Sequence, residues 1–191
     1  MMIRGMPATR SCFRRLELRA LAAIALVATA APLPPARAVE NAKHCGPTFV
    51  DIDPTTGDLL ILCGKSGTIR RLDPDGGSTK SEAVLGESPF AFDRHPDGAR
   101  LYVTCRRGQE IRELDAGSLQ TLRTFPLRGD PTGVAASADG RRLYVALHSL
   151  DQVAVLDLET GGEIKRIAAG NGPEMVRRSP QQQRIYVTNL L

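Results

Sequence analysis

A 42-residue period, running without insertion or deletion from residue 47 to the end of the sequence, constrains this chain more than any other feature. Pro47, Pro89, Pro131 and Pro173 stand one period apart, and so do Leu59, Leu101, Leu143 and Ile185. Each of the latter is followed by an aromatic or aliphatic pair: Leu60-Ile61, Tyr102-Val103, Tyr144-Val145 and Tyr186-Val187. Asp73, Asp115 and Asp157 keep the same step, each preceded by Leu. Three columns in one register mark a supersecondary unit that cannot bury its own apolar faces and must stack on copies of itself.

The alternation inside a unit says what that unit is. After each Pro comes a short apolar segment ("PTFVDID", "PFAFDR", "PTGVAAS", "PEMVRRS"), expected as an innermost, buried strand. Turns such as "PTTGD", "PDGAR" and "ADGRR" follow, where Gly and Asp tolerate positive φ. Strand runs come next ("LLILC", "LYVTC", "LYVAL", "IYVTN"), rich in β-branched and aromatic residues. A third, cleanly alternating segment ends on the periodic Asp, which opens an Asx-type turn, and a fourth, polar on one face, suits an outer strand in water. The i, i+3, i+4 spacing of helical repeats is missing. These residues predict an all-β fold, a β-propeller of four-stranded antiparallel blades. The blades are 47–88, 89–130 and 131–172; residues 173–191 hold only the first two strands of a fourth, so the expected ring is incomplete, about three and a half blades.

The same residues carry a family resemblance. "DGRRLYVALHSLDQVAVLDLETGGEIKRIAAGNGPE" and the "RIYVTN" of residues 184–189 resemble the YVTN-family β-propeller repeat: a Pro, an Asp-Gly turn, a Tyr-Val-Thr-Asn strand end, then a Val-x-Asp strand before a Thr-Gly turn. The likeness spans residues 47–191. It implies an exported bacterial or archaeal propeller, and related blades occur in surface-layer proteins, nitrite-reductase haem domains, amine dehydrogenase heavy chains and propeller lactonases. Such a repeat encodes blade packing rather than a site, so it specifies fold far better than function. Relatives usually have seven blades. This implies either a truncated gene or fragment, the favoured reading, or two copies associating to complete a ring.

The first residues are an address. Arg4, Arg10, Arg14, Arg15 and Arg19 precede an uncharged run from Ala20 to Ala31, too short to span a bilayer, and Ala36-Arg37-Ala38 offers a small-residue cleavage site. Residues 1–38 are therefore expected to be a secretory signal peptide, with residues 39–46 a connector from Val39 and the mature protein secreted or periplasmic. The Arg14-Arg15 pair hints at twin-arginine export, but its flanks fit that motif poorly. Without the segment, 19 basic residues face 20 acidic ones, a net charge of −1. The electrostatic footprint of a nucleic-acid binder is absent, and no transmembrane segment is expected.

Cys45, Cys63 and Cys105 remain in an oxidising compartment. Folding the first hairpin about "PTTGD" brings Cys63 near Cys45, which predicts a Cys45–Cys63 disulfide with Cys105 left over; the alternative is three free thiols. His44, Cys45, Cys63, Cys105 and His148 fall at one end of the blades but lack zinc-type spacing, so no metal site is expected. With no C-x-x-C-H and no G-x-S-x-G, neither a cofactor nor a catalytic residue is assigned. His95 stands in a turn column and is expected to cap that turn. The periodic aspartates recur too regularly to be an active site.

A ligand, if bound, is expected where loops converge after each second strand: Lys65, Arg106, Arg107, His148 and Ser149. The basic bias suits a small anionic ligand or an unidentified protein partner, against the plainer reading of solvated surface charge. The leading expectation is an exported binding or scaffold module. The alternatives are the propeller portion of a periplasmic enzyme, an oxidoreductase subunit or lactonase-like, and a non-functional fragment.

Overall fold

The computed structural model describes residues 45–179, except residue 76, and residues 184–190. The signal peptide expected over 1–38, most of the connector and His44 lie outside the described residues. The described residues form three four-stranded antiparallel sheets and one two-stranded sheet, each in chain order. Blade 1 is β1 (Pro47–Ile52), β2 (Leu59–Cys63), β3 (Thr68–Leu72) and β4 (Thr79–Val84). Blade 2 is β5 (Pro89–Arg94), β6 (Arg100–Cys105), β7 (Glu110–Asp115) and β8 (Thr121–Pro126). Blade 3 is β9 (Pro131–Ala136), β10 (Arg142–Leu147), β11 (Gln152–Asp157) and β12 (Glu163–Ala168), and the half-blade is β13 (Pro173–Arg178) with β14 (Ile185–Asn189). Every first strand starts on a periodic proline. Among the described residues no helix is long and apolar enough to cross a membrane; a single 3-10 turn, His148–Leu150, interrupts the all-β pattern.

The first strands of successive blades touch, β1 with β5, β5 with β9 and β9 with β13. Because strand side chains alternate between faces, each blade turns one face to the blade before it and the other to the blade after. Leu60, Leu62 and Ile69 of blade 1 pack on Phe92, Leu101, Val103 and Leu114 of blade 2. Tyr102, Ile111 and Phe125 then meet Val134, Leu143, Val145 and Leu156 of blade 3. Ala135, Tyr144 and Ala146 meet Val176, Ile185 and Val187 of the half-blade. These inter-blade cores are what the 42-residue period encodes. The sequence reading expects every innermost strand to be buried, and β9 is buried throughout. β1 departs from that expectation: it has a described blade on one side only, and Val50 and Ile52 stand 61% and 60% exposed.

Polar groups fix the blades in register. The amides of Gly64, Arg106, His148 and Leu190 donate to the carbonyls of Gly46, Ser88, Asp130 and Gly172, two columns that hold the 42-residue step through all four units. Each acceptor has positive φ, 59°, 56°, 53° and 59°, which turns the chain into the proline that follows. At the inner strands the Thr48 hydroxyl donates to Pro89 O (3.3 Å), Thr104 to Thr132 O (2.6 Å) and Thr132 to Pro173 O (3.1 Å). Gly133 must be glycine, since a Cβ there would lie 2.5–2.6 Å from the β13 backbone at Val176, Glu174 and Met175.

Buried ion pairs complete the junctions. Arg71 donates to Asp53 (3.0 Å) and Asp58 (3.3 Å), and its other terminal nitrogen reaches the Ala116 carbonyl of blade 2. Arg94 of blade 2 reaches back to Asp53 at 3.2 Å. Burial pushes the Asp53 carboxyl up, but the Thr55 amide, Arg71, Arg94 and the Thr56 amide together outweigh it and hold it down at about 2. One repeat later the buried acid is Glu113, paired with Arg123 (2.6 Å) and Arg100 (3.3 Å), and Arg123 donates to Leu158 O of blade 3 (2.6 Å).

Candidate functional site: a cleft between blades 1 and 2

The loop joining β2 to β3 and the connector from β4 to β5 emerge side by side, with the β6–β7 loop of blade 2 beyond them. Together they form an open cleft of about 740 Å³ lined by Gly64, Lys65, Ser66, Gly67, residues 84–88 and Arg107. Lys65 and Arg107 are the same position in successive repeats, so the propagation of one loop type places two cations on one cleft. Glycines at 64, 67 and 86 are among the lining residues.

The walls are tied down. Cys45 and Cys63 are joined by a disulfide across a Cα–Cα distance of 4.9 Å. The Cys45 carbonyl accepts the amides of Lys65 (3.2 Å) and Ser66 (3.3 Å), so the bridge fixes the loop that carries Lys65. Leu85 N donates to Gly67 O (2.7 Å) and Gly108 N to Glu87 O (3.2 Å), which lace the connector to both flanking loops. Cys105 is a free, buried thiol behind Gly86. Burial pushes it up to about 11, the Gly86 amide opposes this and Glu110 adds to it, so the sulfur stays protonated and inert near neutral pH.

Of the five residues expected to bind a ligand, the structure brings two together, Lys65 and Arg107. Arg106 turns to the next junction, where it faces the Asp130 carboxylate at 4.0 Å. His148 and Ser149 lie on the 3-10 turn of blade 3, the His148 ring against Gly172 and its Nδ1 buried without a partner among the described residues. Ser66, Glu87 and Ser88 line the cleft without having been expected there. The signal that could have found them is the pairing of the Gly64 and Gly46 columns, which sets each second-to-third strand loop on the connector preceding its blade. Among the described residues, no group of three or more His, Cys, Asp or Glu side chains could hold a metal ion.

The remaining expected residues hold turns. Asp73 accepts from Gly77 N and the Ser78 hydroxyl, Asp115 from Gly117 N, Ser118 N and the Ser118 hydroxyl, and Asp157 from Glu159 N, Thr160 N and the Thr160 hydroxyl. These bonds hold all three carboxyls below their ordinary value. His95 does cap its turn, Nδ1 accepting the Asp97 amide at 3.2 Å, and it does more: Nε2 contacts Gly140 O of blade 3 at 3.0 Å. Nδ1 also lies 2.7 Å from the Asp97 carboxylate.

Stacked antiparallel sheets, three of four strands and one of two, packed face to face, now have counterparts among solved structures. Hydrazine synthase of Kuenenia stuttgartiensis superposes with a TM-score of 0.69 at 24% identity, over 76% of this chain and 42% of that one. A protein from Lactobacillus plantarum gives 0.66 at 21% identity, over 75% and 48%. Virginiamycin B lyase from Staphylococcus aureus gives 0.64 at 15% identity, over 77% and 50%. The fold is a β-propeller. This propeller spans half or less of the length of the solved chains it matches. No described protein family and no curated protein matches its sequence. At these identities the likeness is one of fold alone.

Proposed function

We propose that this chain is a propeller module of the YVTN type, exported by its N-terminal signal, that binds a small anionic ligand in the cleft between blades 1 and 2. Lys65 and Arg107 supply the charge, and Ser66 and Ser88 add hydroxyl donors. The observation that carries the reading is the convergence of the two cations, one repeat apart, on a single cleft. Glu87 on the same lining disfavours densely charged anions and leaves room for a ligand that also carries a donor. The Tyr-Val-Thr-Asn column and the ordered charged, apolar and small-residue zones of residues 1–38 support the family and the export. A second reading, the propeller portion of a larger enzyme, draws support from likeness to two enzymes of which this chain covers 42% and 50%.

Calorimetric titration with inorganic phosphate, sulfate and a hydroxycarboxylate tests the binding reading. At least one anion should bind, and Lys65→Ala and Arg107→Ala should each weaken it about tenfold, the loss of one charge-assisted contact. Binding that survives both substitutions, or no binding by any of the three, overturns it.

A further inference from the structure

The cleft between blades 1 and 2 is a departure from the repeat, because the same place in the next junction is occupied. There Leu150 sets its side chain on Gly129, so close that a Cβ added to that glycine would lie 2.6 Å from Leu150 Cδ1. Arg106 and Asp130 face each other across the same junction at 4.0 Å. One repeat earlier, the positions of Leu150, Gly129, Arg106 and Asp130 are Gly108, Glu87, Gly64 and Ser88. The loop backbone keeps its form: Gly67, Gln109 and Asp151, one period apart, all have positive φ, 68°, 51° and 54°. Side chains alone therefore distinguish the two junctions. Between blades 1 and 2 the leucine plug and the cross-junction pair are both missing, and a carboxylate stands where the plug would rest.

The charges around this cleft do not answer one another. Lys65, Glu87 and Arg107 all line it, all are exposed, and among the described residues none of the three makes an ion pair. Val84, 75% exposed, adds an apolar side chain to the same lining. Two cations, one carboxylate and an apolar surface around one cavity complement a molecule that carries a carboxylate, an ammonium group and an apolar chain. A plain anion satisfies the cations but meets Glu87 with like charge.

Resting on the anion-site reading above, we propose that the ligand of this cleft is an amino acid with an apolar side chain. Its carboxylate lies between Lys65 and Arg107, its ammonium group on the Glu87 carboxylate and its side chain on Val84. Gly108 makes the room, since a leucine there would cover the connector as Leu150 covers Gly129 in the next junction.

Calorimetric titration of the full chain with leucine, with isocaproate, which is leucine without its amine, and with inorganic phosphate tests this. Leucine should bind about tenfold more tightly than isocaproate, the gain from one charge-assisted contact, and Glu87→Gln should erase that preference. Gly108→Leu, which copies the blade 3 plug into blade 2, should weaken leucine by about tenfold with the thermal midpoint kept. If Gly108→Leu fails to fold, the Glu87→Gln comparison decides. Isocaproate binding as tightly as leucine, a preference that survives Glu87→Gln, or leucine binding indifferent to a folded Gly108→Leu overturns the amino-acid proposal. The anion site itself still stands in those cases if Lys65→Ala weakens isocaproate or phosphate, whereas binding of none of the three overturns both.

Discussion

Arg71 of blade 1 and Glu113 of blade 2 occupy the same repeat position with opposite charge, and each is buried against a partner whose charge is reversed to match. Arg71 pairs with Asp58, and one period on, Glu113 pairs with Arg100, the residue in the Asp58 column. The latch to the next blade survives the reversal. Arg71 reaches Ala116 O directly, whereas in blade 2 Arg123, held by Glu113, reaches Leu158 O, the equivalent carbonyl. Removing one member of a buried pair strands a charge, while exchanging the whole set keeps it neutralised.

Asp58→Arg alone should therefore destabilise the protein by about 3 kcal/mol. Adding Arg71→Glu, Ser81→Arg and Asp53→His, the last because Asp53 pairs with Arg71 and His95 stands in its column, copies the blade 2 arrangement into blade 1 and should recover more than half of that loss. Urea unfolding midpoints of the single and quadruple variants measure both effects; a quadruple variant as weak as the single one would show that the columns are not interchangeable.

Tyr102 places its hydroxyl in the core with no partner among the described residues, and burial, reinforced by Glu113, pushes its phenol up to about 12. A neutral, unsatisfied hydroxyl costs stability, so Tyr102→Phe should be stabilising by about 1 kcal/mol. Thermal unfolding would detect this as a higher midpoint, and a lower midpoint would reveal a partner for the hydroxyl.

Gly133→Ala sets a methyl group against main-chain atoms of β13 that no rotamer change can move. It should cost about 3 kcal/mol and loosen the half-blade first. Amide exchange is the direct readout: protection at Val176 and Val187 should fall while that at Leu101 and Val103 is kept.

Acid should act through Asp53. Its carboxyl moves from the ordinary 3.8 to about 2 on folding, so the stability it contributes is present above pH 4 and is lost as pH falls through 2. Asp93 works the other way. Burial raises it despite the Ala136 amide, so its ionisation opposes folding as pH rises. The stability gap between wild type and Asp53→Asn should narrow by about 2 kcal/mol between pH 6 and pH 2, in guanidinium titrations at each pH.

The blades themselves were legible because their determinants are local and repeated. A proline, an Asp-Gly turn and an alternating Leu-Tyr-Val run fix strand, turn and face within about a dozen residues each, and a strict period then fixes what stacks on what. The columns also pointed to the end of the blades where the cleft lies, and to Lys65 and Arg107. They did not separate those two from Arg106, whose charge is answered by Asp130 of the following connector, because that answer comes from a residue 24 positions away in sequence.

What the sequence by itself determined is the repeating unit: its strands, its turns, its aspartate caps and the apolar columns that need a neighbour. Tertiary structure alone decided which polar residues meet across blades. Arg71 with Asp53 and Ala116, Arg94 with Asp53, His95 with Gly140 and Arg177 with Phe49 each depend on the angle and separation of whole blades. A period states which positions are equivalent, and only the packed arc states which of the inequivalent ones touch.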